Sequence, residues 1–347
     1  MASTDRTLTQ RGLNRALLAR QMLLERARVQ LPRALERMGG LQAQYAPSMY
    51  IGLCSRVADF ERDDLTHALE RKSVVQGTLM RATIHLVSRR DYWPFAVAIG
   101  DGRREWWLRV QLDRSLTARD MAAAARRLRA RLAHGPMHRT DIEKAVGKDR
   151  ARGVGLWLDL VRVPPAGTWD RRRADLFALA EEWLGPPEVE RDEGIELLVR
   201  RYLGAFGPAL AAEIADWAGL SAADVQRGLA RIRVRRFRDE RGKELLDLPR
   251  ARLPDPETLA PVRFLPTWDA SLLTHARRTQ ILPERHRPKV FSTKTPQSVG
   301  TFLVDGAVAG AWRHEGGRIR LDPFEHLDRT TRRELNDEAD RLTALHM

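Results

Sequence analysis

Two stretches of the chain carry one pattern: Gly135-Pro136 followed by Asp141-Ile142 and Gly147, and Gly207-Pro208 followed by Glu213-Ile214 and Gly219. The same spacing of turn, acid, apolar and turn residues predicts two copies of one local structure. In each copy Gly-Pro is expected to open a short helix, with the acid in its early part and the isoleucine facing inward. The glycine then closes it as a left-handed cap. Turn punctuation alone can also produce such a match, so coincidence stands as the second reading.

After the second copy, Arg231 to Leu248 alternates through Ile232-Arg233-Val234-Arg235-Arg236-Phe237, with Arg241-Gly242 as a turn, which predicts a β hairpin. The N-terminal part has a related outline. Helices are predicted over Gln10 to Arg28 and Leu31 to Met38, Met49 to Val57 is apolar enough to be buried, and Asp63-Asp64 signals a helix through Leu69 and Glu70. A strand follows, with Thr83, His85 and Val87 on one face and Ile84 and Leu86 on the other. Helices followed by a hairpin are the outline of a winged helix.

From Pro261 the texture becomes β: Val262 to Leu265, Val290 to Ser292, Thr301 to Val304, the Asp305-Gly306 turn, Ala307 to Trp312, and Arg318 to Leu321 after Gly316-Gly317. Asp-Gly between apolar runs is the strongest short hairpin signal. A charged helix near Arg329 to Leu345 ends the chain. The fold class expected is α+β, built of tandem winged helices (helix-turn-helix units) with a C-terminal β-rich region. The boundaries are 1–115, 116–200, 201–260 and 261–347.

The formal net charge of +14 calls for an anionic partner, either nucleic acid or a membrane surface. The membrane reading is weakened because no run of 18 apolar residues occurs and Met1-Ala2-Ser3-Thr4-Asp5 lacks the features of a signal peptide. The expected location is the cytoplasm, in association with the nucleoid. Cys54 is the only cysteine, so no intrachain disulfide or cysteine-based metal site is expected. His134 and His138, at i and i+4, are separated by Gly135-Pro136, which breaks the helix needed to align them on a metal. No metal and no cofactor are expected. Lysine occurs only at 72, 144, 148, 243, 289 and 294, so the positive charge is nearly all arginine. Arginine suits bidentate phosphate contact, although codon preference gives the same bias.

The stretch with the most chemical content is Gly39-Gly40-Leu41-Gln42-Ala43-Gln44-Tyr45-Ala46-Pro47. Residues i and i+2 share a face on extended backbone and diverge on a helix. Gln42 and Gln44 therefore converge on one small target if the segment is extended, and are solvated helix-end residues otherwise. An amide pair offers donors and acceptors without charge, which can hold a water but cannot deprotonate it strongly.

Three separated stretches share features with one family: Leu41-Gln42-Ala43-Gln44; Leu79-Met80-Arg81-Ala82-Thr83-Ile84-His85-Leu86; and Phe264-Leu265-Pro266-Thr267-Trp268-Asp269 running on to Leu272-Leu273-Thr274-His275-Ala276-Arg277-Arg278-Thr279. With Val304-Asp305-Gly306 and Gly310-Ala311-Trp312 added, the chain resembles the AlkZ/YcaQ-type DNA glycosylases over nearly its whole length. The resemblance implies tandem winged helices and a C-terminal β region around a basic concave channel. It also implies a catalytic Gln-x-Gln signature, here Gln42 and Gln44; the YcaQ branch has Gln-x-Asp. The implied reaction is hydrolytic removal of bulky alkylated purines from double-stranded DNA, with interstrand crosslinks as a further candidate substrate, by a monofunctional enzyme acting as a monomer.

Arg81, Thr83 and His85 fall in the second stretch, and His275, Arg277 and Arg278 in the third; all are candidates for DNA contact. His85 reads equally as a satisfied structural histidine, and His275 as part of a solvated turn. Trp106, Trp107 and Trp268 can stack on bases, though tryptophan at such positions usually belongs to a core. The polar, glycine-rich turn after His314 is expected to project toward DNA with Arg313 and Arg318. The rival reading is a non-catalytic winged-helix DNA binder such as a transcriptional regulator, which ordinarily binds as a symmetric dimer.

Overall fold

The computed structural model describes residues 6–111, 115–275, 278–291 and 299–347 and has a mixed α/β fold. It opens with β1 (Thr7–Leu8) and α1 (Gln10–Arg20), which is capped by Thr9, whose hydroxyl accepts from Gly12 N. The helix expected to reach Arg28 stops at Arg20. Met22 turns into a positive φ of 56°, and Ala27 donates its amide to Arg56 O, so backbone pairing with a distant segment replaces the last helical turns.

Next come α2 (Leu31–Met38), β2 (Leu41–Gln42), α3 (Ala46–Cys54), α4 (Arg62–Glu70), β3 (Val74–Thr78) and β4 (Ile84–Ser88). After α5 (Arg89–Val110) the same order returns as α6 (Ala118–Leu132), β5 (Met137–His138), α7 (Arg139–Val146), α8 (Lys148–Gly153), β6 (Leu160–Arg162) and β7 (Leu176–Leu179). It returns again after α9 (Ala180–Leu184) as α10 (Arg191–Phe206), a bridge at Ala209, α11 (Ala211–Ala218), α12 (Ala222–Ala230), β8 (Arg235–Asp239) and β9 (Glu244–Asp247). In each unit the short strand or bridge pairs with the second strand of the hairpin: Leu41 with Leu86, Met137 with Phe177, Ala209 with Leu246.

Both Gly-Pro copies therefore lie between a helix and this short extended segment, one step before the place expected. The helices begin at Arg139 and Ala211. Ile142 and Ile214 are buried as expected, each contributing about 1.5–3 kcal/mol of apolar burial. The closing glycines differ: Gly219 is left-handed (φ 72°, ψ 33°), whereas Gly147 is extended at positive φ (88°, 149°). In the first unit Gly39-Gly40 takes the place of Gly-Pro.

The first two hairpins join back to back through β3 and β6, giving a six-stranded sheet in the order β2-β4-β3-β6-β7-β5. Apolar residues on both faces of β4 find separate cores: Val87 belongs with α5 and α10, and Leu86 with α2, α3 and α4. This explains why β4 is buried on both sides.

The C-terminal part contributes β10 (Arg263–Leu265), α13 (Arg287–Val290), β11 (Gly300–Val304), β12 (Ala307–Glu315), β13 (Arg318–Pro323) and α14 (Arg329–His346). Strands β10 to β13 form an antiparallel sheet in chain order. Of the strand expected at Val290 to Ser292, Val290 instead closes the short helix α13, Phe291 is extended (φ −116°, ψ 111°), and Ser292 lies outside the described residues. Both expected two-residue turns form, with positive φ at Asp305 (44°) and Gly306 (78°), and at Gly316 (59°) and Gly317 (73°). The first turn docks on α1, where Arg11 Nη1 bonds Asp305 Oδ2 at 2.8 Å and Asn14 Nδ2 bonds Gly306 O at 2.8 Å.

Candidate active site

The glycine pair is required by the backbone. Gly39 caps α2 at φ 73° and Gly40 follows at φ 85°; a Cβ on Gly40 would meet Val87 Cγ1 at 2.9 Å. The chain can then reverse tightly against β4, where Gln42 stands opposite His85. Ala43 N continues the pairing to Ile84 O at 2.7 Å, so the segment is extended and the two glutamines converge. Gln42 is buried at 7% exposure and Gln44 is exposed; Gln42 Nε2 donates to Gln44 Oε1.

A third group completes this arrangement. The loop between β3 and β4 holds Arg81 and Ala82 at φ 52° and 55°, a left-handed conformation that costs non-glycine residues of order 1 kcal/mol or more. Arg81 Nη1 donates to Trp217 O at the end of α11 (3.0 Å), and Nη2 approaches Gln42 Oε1 at 3.4 Å. A guanidinium only donates, so it sets which end of the Gln42 amide faces it. The Gln42 NH2 must then point to Gln44 Oε1, and the Gln44 NH2 is turned outward.

Thr83 is half-buried, with its hydroxyl on Met80 O (3.0 Å). His85 is buried at 3% exposure, its Nδ1 3.1 Å from Thr83 O. A carbonyl only accepts, so Nδ1 carries the proton. Burial, reinforced by the nearby charge of Arg81, lowers the His85 pKa to about 3. The ring is neutral and enclosed, which fits its structural reading.

His275 is also enclosed, at 3% exposure, with Nδ1 3.2 Å from Glu213 Oε1; Glu213 Oε2 in turn caps α11 by accepting from Leu210 N at 3.0 Å. Its ring is therefore set inside the protein and not in a solvated turn, one of its two readings. Arg277 lies outside the described residues, and Arg278 begins a single helical turn, Arg278–Gln280. Trp107 is core and Trp268 is half-buried, while Trp106 is 43% exposed.

The Phe264 to Asp269 stretch has a packing role. Asp269 and Arg56 form a fully buried ion pair (Oδ1 to Nη2, 2.8 Å), Ser48 Oγ meets Thr267 Oγ1 at 2.8 Å, and Trp312 Nε1 donates to Leu265 O at 2.9 Å. The first two contacts fasten α3, separated from Gln44 by Tyr45 alone, and the turn after it to the segment following β10, and the third ties β12 to β10.

Arg313 and Arg318 are exposed on the strands flanking Gly316-Gly317, with Arg313 Nε 3.4 Å from Glu315 Oε2. A path of side chains links this hairpin to the glutamines. His314 stacks on His346 of α14 (4.0 Å between rings), and His346 meets Trp169 edge-on at 5.0 Å. Arg62 and Arg172 lie over the Trp169 ring at 5.4 and 5.8 Å, and Arg172 Nη1 donates to Tyr45 OH at 3.2 Å, beside Gln44. Tyr45, Trp169 and Arg172 escaped the sequence reading. The available signals were an aromatic next to the amide pair and the run Trp169-Asp170-Arg171-Arg172-Arg173. Among the described residues no group of three His, Cys, Asp or Glu side chains is placed to hold a metal ion.

Residues 35–345 match the sequence profile of the family described as DNA glycosylase AlkZ-like, which covers most of the chain. The protein belongs to this AlkZ-like family of DNA glycosylases and is a DNA repair enzyme, not the non-catalytic regulator that was the rival reading. Its fold is similar to that of a solved structure, the Streptomyces sahachiroi DNA glycosylase AlkZ, with a TM-score of 0.82 and 19% sequence identity over 98% of this chain and 97% of that one. No curated protein sequence matches the chain. No helix among the described residues is long and apolar enough to cross a membrane.

Proposed function

We propose that the protein hydrolyses the N-glycosidic bond of bulky N7-alkylated purines in double-stranded DNA, as a monomer, with Gln42 and Gln44 holding the water and the sugar. The three helix and hairpin units are winged helices in this reading, and with the C-terminal sheet they border a basic channel. The observation that carries the proposal is the ordered amide pair: Arg81 fixes Gln42, Gln42 fixes Gln44, and the Gln44 amide, with its NH2 and one remaining acceptor lone pair, faces outward.

So mild a site suits an N7-alkylpurine. The base is already cationic, so the glycosidic bond breaks to release a neutral base, and no strong general acid is needed. The protein has only to place the water and stabilise positive charge developing on the sugar, which carbonyl oxygens of amides can do. His85 is no substitute acid, since its pKa of about 3 keeps it neutral. Arg313 and Arg318 then contact phosphate or minor groove beside the site.

The test is incubation with a duplex bearing a single N7-alkylguanine, followed by detection of the abasic product. No excision of any N7-alkylpurine would remove this substrate assignment.

A further inference from the structure

A cavity of about 1380 Å³ lies apart from the glutamine site, between the end of α1, α2, α10 and the segments before β8 and after β9. Helix α10 separates the two. Its Tyr202 and Phe206 pack on Trp217, 5.3 and 5.8 Å between ring centres, on the side where Arg81 bonds the Trp217 carbonyl. Its Arg200, Arg201 and Gly204 line the cavity instead. None of Gln42, Gln44, Arg81, Arg172 and Arg318 lines it.

The lining holds ten arginines and only two acids, Glu25 and Glu36. Several of these arginines are spent inside the fold: Arg20 on Asp247 at 2.7 Å, Arg201 on Asp91 at 2.8 Å, Arg200 and Arg231 on Glu196 at 2.9 and 3.1 Å. Four are not. Arg37, Arg233, Arg250 and Arg252 are exposed, and among the described residues their guanidinium groups have no hydrogen-bond or ion-pair partner. Unneutralised like charges around one concavity repel each other in the folded protein and raise the local concentration of anions.

We infer that this cavity is a second binding site for the phosphate backbone of DNA, separate from the site of excision. Its size exceeds the roughly 300–1,000 Å³ of small-molecule pockets, which favours an extended ligand over a free phosphate or a mononucleotide. The lining contains no aromatic side chain on which a base could stack, while arginine forks match phosphate oxygens. The inference rests on the family's action on DNA and not on the identity of the lesion.

The test uses the full-length protein and an undamaged duplex of about 40 base pairs, with binding followed by fluorescence anisotropy across a salt series. The triple variant Arg233→Ala/Arg250→Ala/Arg252→Ala should bind about tenfold or more weakly at low salt. Its log–log salt slope should be shallower by about 2 to 3, at roughly 0.9 per phosphate released. Glu25→Gln, which removes an acid from the rim, should tighten binding. Single-turnover excision from a lesion duplex at saturating enzyme should stay within about twofold of wild type in both variants. Unchanged affinity and slope in the triple variant would overturn the inference, as would weaker binding by Glu25→Gln or a collapse of excision at saturation. If the wild-type protein excises no N7-alkylpurine, the substrate reading fails while the binding measurement still decides this one.

Discussion

Gln42 and Gln44 are hydrogen-bonded to each other, the NH2 of the first to the carbonyl oxygen of the second, on a short extended segment held to β4. The pair is thus one polar unit with a fixed direction, anchored at its buried end by Arg81 and open at Gln44.

Gln42→Ala and Gln44→Ala should each slow excision by ~10²-fold or more under single-turnover conditions, because each removes a group that places the water. The double substitution should cost far less than the product, since a water held by one amide is already misplaced. Gln44 is exposed, so its loss should change stability by under about 0.5 kcal/mol. Gln44→Asp keeps an acceptor for Gln42 Nε2 and should retain excision. Wild-type rates in both alanine variants would move the active site elsewhere.

Arg81→Gly separates orientation from stability. Glycine accepts the φ of 52° without strain, which offsets the lost bond to the Trp217 carbonyl, so the melting temperature should hardly move. Excision should fall by about tenfold or more as the Gln42 amide loses its fixed orientation. Equal rates in variant and wild type would show that the amide pair orients itself.

His85 makes stability depend on pH. Its folded pKa is depressed to about 3 from an unfolded value of 6.5, so the unfolded chain binds the proton first. Its contribution is complete above pH 6.5 and is lost as pH falls toward 3, at up to about 1.4 kcal/mol per pH unit. His346, lowered to about 4 chiefly by burial, acts in the same direction over a narrower window. Denaturant melts from pH 7 to 4 should show a shallower acid loss in His85→Asn than in wild type, and parallel curves would refute the assignment.

Breaking the Arg56–Asp269 pair should be costly because the remaining charge is left fully buried. Asp269→Ala should lose about 3–5 kcal/mol in equilibrium unfolding. A loss under about 1 kcal/mol would mean that water reaches Arg56.

Arg313→Ala combined with Arg318→Ala should weaken binding to lesion DNA and flatten its salt slope by about 2, with no change in melting temperature. Both side chains are exposed at a hairpin tip and support no core. Unchanged affinity would take this hairpin out of the DNA contact.

The sequence by itself determined the elements whose causes are local. Positive φ at Asp305-Gly306 and Gly316-Gly317 follows from residue type, and so does the left-handed cap at Gly219. Period-2 spacing between Gly40 and Pro47 made Gln42 and Gln44 candidates for convergence, and pairing with β4 supplied the extended backbone that brings them together. Tertiary structure decided what depends on distant partners. It ended α1 at Arg20 by pairing Ala27 with Arg56, and it enclosed His85 and His275. It placed Arg81 between Gln42 and Trp217, and it brought Arg172 to Tyr45 across 127 positions of chain. The first unit showed its helices and strand but not the Gly-Pro repeat, because Gly39-Gly40 takes the place of Gly-Pro there. A strand's pairing is set by the backbone, which many side-chain patterns allow, so the back-to-back joining of β3 and β6 leaves no period or motif in the residues themselves.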